Sequence, residues 1–341
     1  MLLDITAIIA GLAVLVWGAD RFVTGAAALA RNLGVSPMLI GLTIVGFGTS
    51  APEILVSGMA AWQGNPGLAI GNALGSNIAN IGLILGVTAL IAPLTVRSDT
   101  LRREYPLLLA VSLMALLLML DGVLDLFDSL ILLAGLAGLI WAMIRLGRQG
   151  LASDPLEMEM EAEIPERMPT ARAVILFSTG LLLLLLSSRV LVWGAVNVAT
   201  ALGISDLVIG LTIVALGTSL PELAASVTSV LKEEHDIAIG NVIGSNMYNL
   251  LAVLPVPGLV APVELSPEVL SRDLPVMIGF TLALFVMGYG FGGQGRINRF
   301  EGLLLAAAFV GYQTLLFVDS HQAMEPGAGT SILSQPAGLD A

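Results

Sequence analysis

A thirteen-residue segment occurs twice in this chain, and each copy carries one carboxylate within an apolar run. GLTIVGFGTSAPE at 41–53 returns as GLTIVALGTSLPE at 210–222, and ten of the thirteen positions are identical. The acidic residue is Glu53 in the first copy and Glu222 in the second. Because a carboxylate is costly in hydrocarbon, an acidic residue in a membrane span indicates a functional site. A matched pair in two duplicated halves favours a cation site where the repeats of a transporter meet.

The duplication extends well beyond this segment. A single offset of 169 residues holds without a gap from about Leu33 to Pro106, which aligns with Pro275. The same offset aligns Gly71-Asn72 with Gly240-Asn241, Gly75-Ser76-Asn77 with Gly244-Ser245-Asn246, Asn80 with Asn249, and Arg103 with Arg272. Self-similarity in one register over such a length indicates duplication of a structural unit.

Composition places the chain in the membrane. It is 56% hydrophobic and only 12% charged, with a mean hydropathy of +0.93, whereas soluble domains carry about a quarter charged residues. The net charge of −12 gives no indication of nucleic-acid binding, and the absence of cysteine excludes disulfides and thiolate metal sites. A cleaved signal peptide has a basic segment before its apolar run, whereas the only charge at this position is the acidic Asp4. We therefore expect the first apolar run to remain in the membrane as a helix.

Ten apolar stretches are long enough, or nearly so, to cross a bilayer at roughly 20 residues each. They lie at 5–28, 37–62, 67–91, 105–121, 126–146, 172–198, 206–231, 236–258, 274–290 and 300–318. Since five helices is an odd number, the second half must enter from the opposite side. The sequence therefore predicts an all-α membrane protein of ten transmembrane helices in two inverted-topology repeats. The predicted domains are a first repeat at 1–146, an acidic linker at 147–171, a second repeat at 172–318 and a disordered tail at 319–341.

Basic residues predict the orientation. The loops after odd-numbered helices carry most of the arginine and lysine, whereas the other side has Arg272 together with acidic Asp121 and Asp125. Cytoplasmic loops are enriched in basic residues. We therefore expect a multi-pass protein of the cell (inner) membrane with a cytoplasmic linker and both termini outside.

The second and seventh segments are predicted to be broken helices. Each contains glycine and a proline, Pro52 or Pro221, and proline interrupts the helical hydrogen bonding. A spacing of four places a hydroxyl on the helical face of each glutamate, and it recurs in the next helix of each half. The pairs are Thr49 with Glu53, Thr218 with Glu222, Ser76 with Asn80, and Ser245 with Asn249. Carboxylate, hydroxyl and amide oxygens are hard ligands that suit Ca²⁺ and Na⁺.

These motifs resemble the two α-repeats of the calcium/cation antiporter superfamily, and most closely its prokaryotic calcium/sodium antiporters. The patterns G-[TS]-S-x-P-E and G-N-x-x-G-[SA]-N-x-x-[ND] occur once in each half, at 48–53 and 71–80 and at 217–222 and 240–249. The resemblance implies an electrogenic exchange of about three Na⁺ for one Ca²⁺ by alternating access, in which helices 1 and 6 slide over a rigid core. It implies ion ligation by the side chains of Glu53, Glu222, Asn80, Asn249, Thr49, Ser50, Thr218, Ser219, Ser76 and Ser245 and by the carbonyls of Gly46 and Ala215.

Other functions remain open at the level of sequence. A Ca²⁺/H⁺ antiporter, or one for another divalent cation, is the nearest alternative because a buried glutamate can carry a proton, although the many hydroxyls favour Na⁺. The broken helices argue against an open cation channel. An intramembrane enzyme is disfavoured because no histidine lies in a span to activate Ser50 or Ser219. We expect no cofactor beyond the transported Ca²⁺ and Na⁺, and no partner beyond the lipid bilayer, with a monomer sufficient for transport.

Overall fold

The structure is a computed structural model that describes residues 1–33, 48, 50–96, 99–148, 168–231, 233, 235–290 and 295–324. Within these residues the chain forms ten helical segments. In chain order they are α1 (Leu2–Asn32), α2 (Ala51–Trp62), α3 (Pro66–Ile91), α4 (Asp99–Met119), α5 (Leu126–Arg148), α6 (Thr170–Leu202), α7 (Asp206–Thr218 and Leu220–Leu231), α8 (His235–Val260), α9 (Val269–Gly288) and α10 (Arg299–Met324).

Each of the ten predicted spans overlaps a described helix, although the bounds differ by several residues and α2 covers only the second half of its span. Six of them, α1, α3, α6, α8, α9 and α10, are individually long and apolar enough to cross a membrane, and the two parts of α7 qualify when taken together. The predicted break in the seventh span is confirmed, because these two parts meet at 43°. For the second span, α2 begins at Ala51 with Pro52 in its first turn. Residues 37–47 of that predicted span lie outside the described part of the chain.

In the described part of the chain, four of the long helices contain a π-helical stretch. It spans Asn80–Leu85 in α3 and Asn249–Val253 in α8, at equivalent positions of the two repeats. The others are Gly210–Val214 in α7 and Val269–Asp273 in α9. A π-helical turn widens the helix and frequently marks a functional position. Here two of the four stretches begin at the asparagines that the sequence singles out.

Two short antiparallel ribbons connect the halves. β1 (Leu94–Thr95) pairs with β4 (Arg296–Ile297), and β2 (Val123–Leu124) pairs with β3 (Val263–Glu264). The 169-residue offset makes β3 the equivalent of β1. However, β1 precedes α4, whereas β3 pairs with the strand that follows α4. Equivalent turns of the two halves therefore lie at opposite ends of α4, which is the arrangement that an inverted repeat requires.

Helices α3 and α8 form the centre of the bundle. In an 18-residue apolar stretch of each helix, 78% of the residues of α3 and 83% of those of α8 are buried. The corresponding shares are only 33% for α1 and 28% for α6. The main apolar cluster includes residues of α3, α4, α8, α9 and α10. The candidate ligands of α3 and α8 are thus carried by the two most enclosed of the long helices, while most residues of α1 and α6 are at least partly exposed.

Helices α1 and α6 pack against each other through heptad-spaced small residues. Gly11, Gly18 and Gly25 recur every seventh position on α1 and face Gly180 and other positions on α6. A Cβ atom on Gly180 would lie 2.4 Å from the backbone nitrogen of Phe22. Small residues permit such close approach of membrane helices. The two helices therefore pack as one closely fitted pair.

The predicted linker and tail lie largely outside the described residues. Helix α5 ends at Arg148 and α6 begins at Thr170. Helix α10 continues to Met324, past the predicted start of the tail at 319. This end of the helix is anchored, because Arg272 Nη1 donates to Asp319 Oδ2 at 2.9 Å. Residues 325–341 of the predicted tail are not described.

The α1–α6 contact predicts that the stability of the protein depends strongly on which glycine is replaced by a larger residue. Gly180→Val should lower the free energy of unfolding by about 1–3 kcal/mol, because the new Cβ meets backbone that cannot move aside. Gly138→Val on α5 is the matched control, since a Cβ there meets nothing within 4 Å. Thermal unfolding of the detergent-solubilised protein measures both. Equal stability of the two variants would contradict the close packing.

Candidate ion-binding site

The two glutamates lie at equivalent places in the two halves. Glu53 is in the first turn of α2, and Glu222 is in the first turn of the second part of α7. Both side chains are completely buried, and the charge of Glu222 acts repulsively on Glu53. Helix N-termini favour nearby negative charge. The two carboxylates thus share one interior region, and each has a helix N-terminus supporting it.

Glu53 faces hydroxyls from the opposite half. Thr218 and Ser219 are the side chains that interact favourably with its carboxylate. These hydroxyls nevertheless do not form hydrogen bonds with it. Within the described residues, Glu53 Oε1 and Oε2 have no hydrogen-bond partner. A buried carboxylate normally has its lone pairs satisfied. Both oxygens are therefore available to a cation.

Glu222 belongs to a network that crosses the halves. Its Oε1 accepts a hydrogen bond of 3.2 Å from Ser245 Oγ. Ser245 Oγ also lies 3.3 Å from Ser50 Oγ and accepts a 3.2 Å hydrogen bond from Asn80 Nδ2. One serine of the second half therefore joins Glu222 to two polar side chains of the first half.

Thr218 makes a second set of contacts between the two halves. Its Oγ1 lies 3.5 Å from Ser76 Oγ and donates to Asn72 Oδ1 at 3.1 Å. The expectation that Thr218 and Glu222 share one continuous helical face was wrong. The chain bends between them at Ser219, so Thr218 ends the first part of α7 and Glu222 lies in the first turn of the second part, which begins at Leu220. Because of that bend, Thr218 reaches the first half while Glu222 contacts Ser245.

The two asparagines begin the equivalent π-helical stretches of α3 and α8. Asn80 and Asn249 are both fully buried. In the described part of the chain, Asn80 Oδ1 and both amide atoms of Asn249 have no hydrogen-bond partner. Buried amide oxygens of this kind can coordinate a hard cation.

Most of the predicted site residues are buried in this central region. Nine of the twelve have side chains that are at most 2% exposed, namely Ser50, Glu53, Ser76, Asn80, Thr218, Ser219, Glu222, Ser245 and Asn249. Ala215 is also buried, but its carbonyl accepts hydrogen bonds from Ser219 N at 3.1 Å and from Thr218 Oγ1 at 3.3 Å. Gly46 and Thr49 lie outside the described residues.

A pair of equivalent clamps, to which the sequence analysis gave no role, holds the backbone at each glutamate. Asn72 Nδ2 donates to the carbonyl oxygen of Glu53 at 3.2 Å and to Ser57 Oγ at 3.0 Å. In the second half, Asn241 Nδ2 donates to the carbonyl oxygen of Glu222 at 3.2 Å and to Ser226 at 3.1 Å. The signal that could have identified them is their identity in both repeats.

The donor set is rich in oxygen but limited in charge. Among the described residues, no three His, Cys, Asp or Glu side chains gather into a metal-binding group. The acidic contribution therefore comes from the glutamate pair, and neutral hydroxyl and amide oxygens supply the rest. Such a set favours hard cations such as Na⁺ and Ca²⁺ over Zn²⁺ or Cu²⁺.

A helical membrane bundle with buried polar oxygens between two related halves has the architecture of a secondary transporter. A family model described as "Sodium/calcium exchanger protein" matches residues 3–145 and 172–318. The chain belongs to this sodium/calcium exchanger family, and it is therefore a membrane antiporter and not an enzyme.

Relatives along the full length agree with this membership. CaxA of Alkalimonas amylolytica, a protein provisionally named as an antiporter, is 50% identical over 93% of this chain and 99% of its own. The sodium/calcium exchanger MaX1 of Methanosarcina acetivorans is 33% identical over 90% of this chain and 96% of its own. A solved structure of the sodium-calcium exchanger NCX_Mj, soaked with Na⁺ and Sr²⁺, is 32% identical with a TM-score of 0.62, and the match covers 91% of this chain and 97% of that one.

The two clamps should differ in their contribution to stability. Asn72→Leu should cost about 1–3 kcal/mol of unfolding free energy, because it removes the buried hydrogen bonds that Asn72 donates to the Glu53 carbonyl and to Ser57 and the one that it accepts from Thr218. Asn241→Leu, the equivalent change, should cost less because Asn241 is only partly buried. Chemical or thermal unfolding of both variants tests this order, and a larger loss for Asn241→Leu would contradict it.

Proposed function

We propose that this protein exchanges Na⁺ for Ca²⁺ across the cell (inner) membrane, with the central oxygen cluster as its ion site. The observation that carries the proposal is the pair of fully buried, mutually repelling glutamates, one from each half. The ligands are the side-chain oxygens of the nine buried residues described above. By resemblance, Thr49 and the carbonyls of Gly46 and Ala215 complete the set. The linker lies in the cytoplasm and both termini lie outside.

Charge balance gives the reason for coupled exchange. Two ionised glutamates carry a charge of −2, which one Ca²⁺ or two Na⁺ neutralise. Without a cation, both charges would be left exposed to a low-dielectric barrier while the helices move, at a cost of several kcal/mol per ion. The conversion between inward- and outward-open forms is consequently slow unless the site is filled. Ca²⁺ then crosses in one direction only if another cation returns.

The counter-ion proposed is Na⁺. Protons need only a carboxylate, whereas the cluster adds four serines, a threonine and two asparagines around the glutamate pair. Neutral oxygens of this kind suit the coordination of a metal ion. With about three Na⁺ entering for each Ca²⁺ extruded, as the family resemblance implies, each cycle moves one net positive charge inward.

The moving element proposed is the α1–α6 pair. Helix α1 passes close to Gly48 and Gly217, which come shortly before the two glutamates. A Cβ on Gly48 would lie 2.4 Å from Val23 Cγ2, and one on Gly217 would lie 2.2 Å from Leu12 Cδ2. Because α1 covers both positions next to the ion site, sliding it with α6 over the more buried core would open one side and close the other.

Removing either charge should abolish exchange. Glu53→Gln and Glu222→Gln keep the side-chain size but each remove half of the acidic charge, which should cost several kcal/mol of ion attraction, or at least about 100-fold in exchange rate. Na⁺-driven ⁴⁵Ca²⁺ uptake into proteoliposomes is the measurement. Glu264→Gln on the exposed strand β3 is the control and should transport normally. Wild-type rates in either buried variant would overturn the proposed site.

The identity of the counter-ion can be tested directly. A Na⁺ gradient at fixed pH should drive ⁴⁵Ca²⁺ uptake, and a membrane potential should change the rate because net charge moves. A pH gradient without Na⁺ should drive little uptake. The reverse pattern would establish Ca²⁺/H⁺ exchange instead, and equally fast Ca²⁺ flux with no counter-ion would exclude obligatory exchange.

A further inference from the structure

The amide of Asn80 is held in one orientation. Its Nδ2 donates to Asn246 Oδ1 at 2.9 Å and to Ser245 Oγ at 3.2 Å, so both of its hydrogens have acceptors. An amide is planar, with its oxygen on the opposite side from its nitrogen. Fixing the nitrogen therefore fixes the direction of Asn80 Oδ1, the oxygen that has no partner among the described residues.

Asn246 can play this role because it is held as well. It is fully buried, and its Nδ2 donates to the backbone carbonyl of Asn77 at 3.3 Å. If the Asn246 amide turned over, it would present N–H groups to the N–H of Asn80 and lose both hydrogen bonds. The series of hydrogen bonds that links Asn77, Asn246 and Asn80 therefore has one favourable arrangement.

The repeat-related residues do not reproduce this arrangement. Asn77 is the equivalent of Asn246, but its Nδ2 donates to Met277 Sδ at 3.6 Å. Within the described residues, the amide of Asn249, which is the equivalent of Asn80, has no hydrogen-bond partner. The equivalent of Met277 in the first half is Leu108, which has no acceptor atom. The repeats therefore differ here in sequence as well as in contacts, with methionine at 277 against leucine at 108.

We propose that Asn246 is a positioning residue for ion binding, which fixes the orientation of the Asn80 amide and so of its buried oxygen, and that Asn77 has no such role for Asn249. This inference rests on the proposed ion site. The two halves then contribute unequal ligands, a preorganised amide oxygen from α3 and an unrestrained one from α8. Residues that orient a metal ligand without touching the metal commonly matter almost as much as the ligand.

The test is equilibrium ⁴⁵Ca²⁺ binding to the purified full-length protein, with Na⁺-driven flux measured separately. Asn246→Leu should weaken Ca²⁺ binding by about 10-fold or more. In flux, the KM for Ca²⁺ should rise more than the maximal rate falls. Asn246→Asp keeps an acceptor for Asn80 but removes the donor to Asn77, and it should weaken Ca²⁺ binding less than Asn246→Leu does. The matched control is Asn77→Leu, which should change binding by less than about twofold.

A double-variant cycle separates positioning from general packing. In an Asn80→Asp background, Asn246→Leu should have an effect of less than about twofold, because a carboxylate presents an oxygen whichever way it turns. Asn246→Ala is measured in parallel, so that the result does not depend on one variant folding. The inference would be overturned if the effects of Asn80→Asp and Asn246→Leu on Ca²⁺ affinity were fully additive. It would also be overturned if the Asn77 and Asn246 variants lost equal affinity. Intact Ca²⁺ binding without Na⁺-driven flux would overturn the proposed exchange alone.

Discussion

Two carboxylates enclosed together and away from water are the constraint on which the rest of this structure depends. Glu53 and Glu222 repel each other, and neither is exposed. Such charges are tolerated only where polar groups and helix N-termini surround them. The bend in α7, the helix start at Ala51 and the hydroxyls around both glutamates meet this requirement. The same features that make the buried pair tolerable also surround the proposed cation site.

The duplication places equivalent groups around the centre, but their contacts are not copies. The clamps that Asn72 and Asn241 form on the glutamate carbonyls are nearly identical in geometry. The hydroxyl and amide contacts differ, since Ser245 joins three polar partners whereas the contact of Ser76 is with Thr218. Symmetry therefore governs the backbone that presents the ligands, and local sequence differences govern the direction of individual side chains.

Sequence reasoning predicted the features that depend on pattern alone. Length and hydropathy located the spans, and the repeated segment located both glutamates and the bend in α7. It failed where three-dimensional contacts decide the outcome. The bend itself separates Thr218 from Glu222, which a spacing of four on a regular helix cannot anticipate. Which way the Asn80 amide points depends on Asn246, a residue 166 positions away. Gly46 and Thr49 lie outside the described residues, so their predicted roles stay predictions.

The distribution of polar contacts constrains which helices can move during transport. Helices α3 and α8 are joined across the halves by the Asn80–Asn246 and Asn246–Asn77 hydrogen bonds and are the most buried spans. Separating them would break several buried hydrogen bonds at once, at about 1–3 kcal/mol for each group left unpaired. The α1–α6 contact consists mainly of glycine and apolar side chains, and its outer surface is exposed. A pair that slides as a unit keeps that contact intact while the ligands on α3 and α8 stay in place. In the proposed exchange, the lower-energy route to alternating access would therefore move α1 and α6 and leave α3 and α8 fixed.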